Sequence, residues 1–350
     1  MKFVLSGLAA LALSTVAAQA GGIDRSGQSI SAIFEEGNYA ELSFGFVQPT
    51  VEGTFTHPLA GALASGDVAP DYSQMGLAAK MDINAKVSLG LILDSPYGAN
   101  VNYDTAGYPL LGTSAEVKTS SISFIGRYKL NDAFSVHAGL RQVTASGFYD
   151  PTGPYASTYS SGTDTGYLVG VAFEKPEIAL RVALTYANET NFALDGTAGD
   201  ATATMPQSVN LDFQSGIAAN TLLFGSIRWA DWSKATIDDT LAGNLVSYTR
   251  DTVTYSLGLG RKFNESFSGA VTLGYEAADG ELASNLSPTD GYFSVGLGGS
   301  YTSGNMKISG GVRFIDIGDA TTEPAGAFPG GAVFSGNTAV GVGVKVAFTF

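Results

Sequence analysis

Two histidines are the only imidazoles in this 350-residue chain, and there is no cysteine. His57 precedes Pro58 in a Gly/Ala-rich stretch, while His137 lies in a segment of alternating polar and apolar residues. A Ser-His hydrolase needs a serine within hydrogen-bond reach of such a histidine. Ser121 and Ser123, one strand earlier, are the candidates for His137, yet no nucleophile signature surrounds either. Phosphate-cradling glycine loops and metal-ligand spacings are absent too, so neither an enzymatic activity nor a cofactor is expected. A different set carries charge in a pattern: Arg127, Arg141, Arg181, Arg228, Arg313 and Lys345 all fall on the polar side of alternating stretches. Acids on that side are fewer, Glu41, Asp94 and Asp212 being the candidates. A surplus of cation in a low-dielectric space can hold a carboxylate headgroup through charge-assisted hydrogen bonds. The same side chains could instead pair with the N-terminal acids Glu35 and Glu36.

The elements that must position these groups follow from period two. Strands are expected over 39–55, 72–82, 85–96, 113–130, 133–147, 164–174, 177–190, 206–218, 221–234, 251–263, 266–277, 291–302, 305–318 and about 334–350. That is fourteen. Six tight turns, at Asn84, Asn131-Asp132, Lys175-Pro176, Ala219-Asn220, Asn264-Glu265 and Ser303-Gly304, alternate with seven longer loops rich in Gly, Asp, Thr and Pro. Short turns at one rim and long loops at the other describe an outer-membrane barrel. Lipid offers no hydrogen bonds, so a sheet there must close on itself and leave no edge. Each strand then shows acyl chains an apolar face: Ile178, Leu180, Val182, Leu184 and Tyr186, or Val253, Tyr255, Leu257 and Leu259, or Met306, Ile308, Val312 and Phe314. Aromatics at strand ends (Tyr128, Phe173, Tyr186, Trp229, Phe263, Phe267, Tyr275, Phe293, Tyr301) suit girdles at the two interfaces. The fold class is all-β, a 14-stranded antiparallel transmembrane β-barrel.

Composition agrees. The opening MKFVLSGLAALALSTVAAQA has one lysine, an apolar run and the triplet Ala18-Gln19-Ala20, a secretory signal peptide expected to be cleaved after Ala20. The domain organisation is therefore signal peptide 1–20, a short N-terminal segment 21–38, which the resemblance described below implies is a plug or hatch, and barrel 39–350. Without Lys2, 17 basic residues face 32 acidic ones, a net charge of −15. Most of the acid lies in loops, such as Asp150, Asp195, Asp200, Asp238, Asp239, Asp279, Glu281, Asp290, Asp319 and Glu323. Such a rim could bind divalent cations that bridge it to lipopolysaccharide, solvation being the alternative. With no basic patch, nucleic acid is excluded. Phe350, ending the last strand, resembles the signal read by the barrel-assembly machinery of the Gram-negative outer membrane.

Several stretches resemble the FadL family of outer-membrane long-chain fatty-acid and hydrophobic-compound transporters. LILDSPYGANVNYDTAG, a loop, and then SISFIGRYKLNDAFSVHAGLRQVTASG are similar to its third to fifth strands. SFGFVQPTVEG resembles the end of its first strand, and PQSVNLDFQSGIAANTLLFGSIRWADWSK its eighth and ninth. Two features depart from the family: the hatch is short and lacks Asn-Pro-Ala, and the first loop, THPLAGALASGDVAP, is also short. The resemblance implies passage of long-chain fatty acids or similar hydrophobic small molecules through a plugged, monomeric barrel, with lateral release into the outer membrane. Water would be a poor route, since solvating a chain forfeits roughly 0.8 kcal/mol per methylene. It implies ligand collection in the outer loops, where Leu59, Ala60, Leu63, Val68, Tyr108, Leu110 and Leu111 stand out; self-packing of those loops is the alternative. It also implies an inward kink in the third strand, where Gly90, Pro96 and Gly98 are the residues expected to bend or break a ladder. A general diffusion porin for small polar solutes is the other reading; its mark would be a long inward loop with clustered charges of both signs. Fatty acid and aromatic hydrocarbon are not distinguished by these residues.

Overall fold

A computed structural model describes residues 22–151, 153–324 and 330–350. The signal peptide expected over 1–20 lies outside them. Fourteen antiparallel strands form one closed barrel: Tyr39–Thr50, Tyr72–Asp82, Val87–Asp94, Ser114–Lys129, Phe134–Asp150, Ser157–Lys175, Leu180–Ala187, Ser208–Ala218, Thr221–Ala230, Thr252–Lys262, Phe267–Glu276, Tyr292–Ser303, Met306–Ile317 and Asn337–Thr349. The first and last strands close it, in register from Tyr39 opposite Thr349 to Thr50 opposite Thr338. Asn38 and Phe350 clamp the seam with reciprocal backbone bonds of 3.2 and 2.9 Å.

Local chemistry explains the short turns. Asn84, Asn131 and Asn264 each accept the backbone N–H groups two and three residues ahead on their side-chain oxygen, at 2.9–3.0 Å. This Asx geometry closes three turns with the same residue. Asn220 and Gly304 take the left-handed conformation that tight hairpins require. The seventh strand starts later than its sequence suggests. Pro176–Ile178 is a 3₁₀ turn ended by Ala179 at φ 50°, so Ile178 sits at the rim and not on the strand's lipid face. Proline had removed the ladder donor there.

The outer face is apolar at the height of the bilayer: Met75 is 68% exposed, Leu140 62% and Phe124 59%, surfaces that lipid would cover. Aromatic pairs mark both rims. Phe134–Phe173 (5.0 Å) and Phe267–Tyr301 (5.1 Å) lie near the short turns, and Tyr167–Tyr186 (6.1 Å) and Tyr255–Tyr275 (6.5 Å) towards the loops.

The long loops are ordered sheets rather than coils. Glu52–His57, Gly61–Asp67, Val333–Phe334, Ala320–Thr322 and Leu282–Ala283 form one; Thr190–Leu194, Ala201–Met205, Thr236–Asp239 and Gly243–Ser247 form another. The first absorbs residues 52–55, expected as a continuation of the first barrel strand. The fourth to sixth strands, of 16, 17 and 19 residues, exceed the roughly 9–11 needed to cross. Their extra length stands beside these caps.

Candidate functional site

Residues 22–35 meet the inward side chains of the barrel, and 36–38 lead out to the seam, where Asn38 bonds Phe350. Residues 23–25 run along the third strand where it leaves the wall. Gly98 N donates to Ile23 O (2.9 Å), Arg25 N donates to Pro96 O (2.8 Å), and Asp24 opposes Tyr97. Asp24 accepts Arg228 Nε at 2.6 Å, and Arg228 also donates to Asn210 at 2.8 Å. Ser26 donates to Asp94 (2.6 Å), which also accepts Ser121. Gly27 and Gln28 both turn left-handed, which reverses the chain and delivers the Gln28 side-chain oxygen to Arg141.

The second half of this segment is held differently. Ser31–Phe34 makes one 3₁₀ turn with Ala32, Ile33 and Phe34 buried. The guanidinium groups of Arg127 (4.7 Å) and Arg181 (5.0 Å) both lie over the Phe34 ring, with His137 edge-on at 5.7 Å. Lys80 then donates to the carbonyls of Glu35 and Gly37 at 3.0 and 2.7 Å.

The six inward cations thus divide. Arg127, Arg141, Arg181 and Arg228 touch the plug. Lys345 pairs with Glu41 of the wall at 3.0 Å, and Arg313 lies beside Tyr292. The pairing acids differ from those expected. Arg228 takes Asp24, and Arg127 takes Glu174 of the barrel wall. Glu36 points to solvent. Glu35 stays inside, where burial raises its carboxyl above the usual range despite the opposing fields of Arg181, Lys345 and Lys307. Asp212 lies in the field of Arg181 and Arg228. His137 meets Thr185 at 3.0 Å rather than a serine.

Of the three residues expected to kink the third strand, Pro96 lies inside the break, between Asp94 and Gly98, and Gly98 ends it. Gly90 is not part of it: it sits in regular register with Lys80 and Ile125, and a Cβ there would lie 2.6 Å from Ile33 of the plug. Its missing side chain makes room. The third strand pairs with the second only up to Leu93 opposite Leu77 and resumes pairing with the fourth at Gly98. Among the described residues, 72–76 therefore have no ladder partner on that side, which leaves a gap in the wall. Asn102 N bonding to Val68 O (2.9 Å) bounds it above. Arg25, only 9% exposed, fills its inner side with the guanidinium 3.9 Å from the Tyr72 ring centre.

Two chambers open above the plug. The first is almost wholly apolar and holds about 660 Å³, part of it open to solvent, among Ile23, Val117, Tyr159, Met205, Ile237 and Val246. Asp239 ties its lid down, accepting Tyr155 at 2.5 Å and Tyr159 at 2.7 Å. The second, about 520 Å³, lies behind the gap and is lined by Arg25, Val47, Val68, Pro70, Tyr72 and Asn100. A polar cavity below joins Gln28, Asp94, Arg141 and Arg228.

The loop residues expected to collect ligand separate as well. Val68 and Tyr108 are buried, Tyr108 stacked on Tyr103 at 5.4 Å, and Leu63 and Leu110 pack against the same core. These four form the loops' own interior, and Val68 also lines the second chamber. Leu59, at 94%, Ala60 and Leu111 remain exposed. No group of three or more His, Asp or Glu poised for a metal occurs among the described residues. Several rim acids are already engaged, such as Glu281 with Arg250 at 3.0 Å. Ile23, Arg25 and Leu286 went unmarked in sequence because isolated apolar or charged residues in short segments carry no periodicity.

No protein-family model matches the chain, and no curated protein matches it. Solved structures do. A FadL homologue from Pseudomonas aeruginosa superposes with a TM-score of 0.75 at 14% identity, over 91% of this chain and 92% of that one. The fold is that of the FadL-type barrels. The Pseudomonas putida toluene transporter TodX gives 0.67 at 14% identity over 91% and 92%. The Ralstonia pickettii toluene transporter TbuX gives 0.64 at 13% over 99% and 100%.

Proposed function

We propose that this protein is an outer-membrane channel of the FadL family that passes hydrophobic small molecules and releases them sideways. In this reading residues 1–20 direct export and are removed, 21–38 are the plug, and 39–350 form a monomeric barrel inserted by the assembly machinery through the strand ending in Phe350. The observation that carries it is the sequence of spaces: an apolar chamber beneath a loop lid, a second chamber, and a wall gap, all above an anchored plug. Apolar cargo gains by staying in such surroundings, at roughly 0.8 kcal/mol per methylene kept from water. Exposed Leu59, Ala60 and Leu111 offer first contact. Arg25 seals the gap, and cargo must displace it from Tyr72 before reaching the outer leaflet. The cargo class spans long-chain fatty acids and the monoaromatic compounds named for the structural neighbours. The first chamber's lining holds one charged residue, Glu116, which is paired with Lys118 at 2.7 Å; this favours neutral bodies or tails there.

The test is uptake of labelled oleate and toluene by cells with and without the protein, alongside planar-bilayer recordings. Uptake of either solute with little steady conductance is the expected result. A large, constantly open pore without apolar uptake would mean a diffusion porin.

A further inference from the structure

Both chambers share one wall. Leu286 and Ser287 line the apolar chamber on one side and the chamber behind the gap on the other. They sit at the tip of the loop after the eleventh strand, which folds down to the level of plug residues Ile23 and Arg25. Asp290 fastens its neck by accepting Asp279 N at 2.9 Å and Gly280 N at 2.8 Å. Its tip is tied to three other loops. Ser284 donates to Leu245 O (3.1 Å), Tyr103 donates to Asn285 O (2.6 Å), and Asn285 donates to Glu323 O (3.0 Å). Short backbone bonds, Ser287 N to Ser284 O and Thr289 N to Ser287 O, keep the tip compact at 3.0 and 2.9 Å.

We infer that Leu286 is the size-selecting partition of the transport path. The inference rests on the channel reading above and adds where discrimination occurs. Residues 284–289 carry no charge, so the barrier between chambers is one of shape. The tip is braced, so it cannot swing aside as a free lid would. What can move is the Leu286 side chain, by rotamer change, on a timescale far shorter than transport. A slim chain threads past a rotating leucine; a rigid fused ring must fit the space that remains. Width, rather than polarity or length, is the property selected.

The experiment uses the full-length protein in cells lacking other hydrophobic-compound channels, with two neutral probes that differ in width, n-dodecane and phenanthrene. Leu286→Trp is expected to lower phenanthrene uptake relative to dodecane by roughly tenfold, the discrimination available from small steric changes in an apolar pocket. Leu286→Ala should move the ratio the other way. Folded barrel in the membrane is checked by heat-dependent gel mobility for each variant. Wild-type ratios in both folded variants would overturn the partition while leaving the channel reading intact. A wild-type protein that moves neither probe overturns both.

Discussion

The two halves of the N-terminal segment, the proposed plug, are fastened by different physics. Residues 22–28 are held by directional bonds: backbone pairing to 96–98, the Asp24–Arg228 ion pair, and the Gln28–Arg141 hydrogen bond. Gly22 fits only because it is glycine, since a Cβ would lie 2.5 Å from the Trp232 ring. Residues 30–37 are held mainly by packing, with Ile30, Ile33 and Phe34 in one cluster with Ile125 and Leu168, and only Lys80 adds directional bonds, to the carbonyls of Glu35 and Gly37. Buried ionic bonds fail abruptly when one partner is removed, whereas packed side chains loosen in proportion to the volume taken away. The first half also forms the inner edge of the wall gap, so in the proposed channel the half facing the cargo's exit is the half with all-or-none bonds.

Removing residues 21–29 while keeping the Phe34 anchor should have the largest effect. Bilayer recordings should show frequent openings and uptake should lose control, whereas a porin would be indifferent. Arg228→Ala comes next. It strands Asp24 against Tyr97 and should weaken first-half docking by about 3 kcal/mol; protease accessibility of residues 22–28 would report it, and unchanged protection would argue that backbone pairing alone suffices. Phe34→Ala should cost about 2 kcal/mol, which includes the attraction of Arg127 and Arg181 for the ring face. That is the low side for a buried ring, because the lumen can admit water. Its signature is loosened labels at residue 33 with the first half still docked, which hydrogen exchange or spin labels would resolve.

The smallest effect is a pH dependence confined to the second half. Burial raises the Glu35 carboxyl above its ordinary 4.5. A raised carboxyl favours the docked plug in its neutral form. That stabilisation is complete below the ordinary value and is lost as pH rises through the raised one. Channel openings should therefore be rarer in mild acid than at neutral pH, and Glu35→Gln should hold the acid behaviour throughout. Equal opening rates at both pH values in the wild type would show that the second half does not gate.

Legibility in the sequence followed range. Asn84, Asn131 and Asn264 each act within three residues, and the turns they close fell where the pattern placed them. The lipid faces of Tyr255, Leu257 and Leu259 followed from period two alone. The errors lie where distant segments compete. Residues 52–55 continue the strand alternation yet join a cap sheet with 333–334. Gly90 reads as a hinge, and only the approach of Ile33 gives it another purpose. Val68 and Tyr108 read as greasy surface until the loops are folded against one another.

By itself the sequence determined a closed barrel with one short-turn rim, because alternation and turn chemistry are local and lipid punishes any unpaired edge. It also determined which arginines face inward, since facing is a matter of odd or even position. Which partner each arginine meets was decided only by the tertiary structure. Asp24 and Arg228 are 204 residues apart and touch because barrel closure and shear bring the plug beside the eighth and ninth strands. The chambers, the wall gap and the shared leucine belong to the same class: empty space has no residues of its own, and only the packed whole defines it.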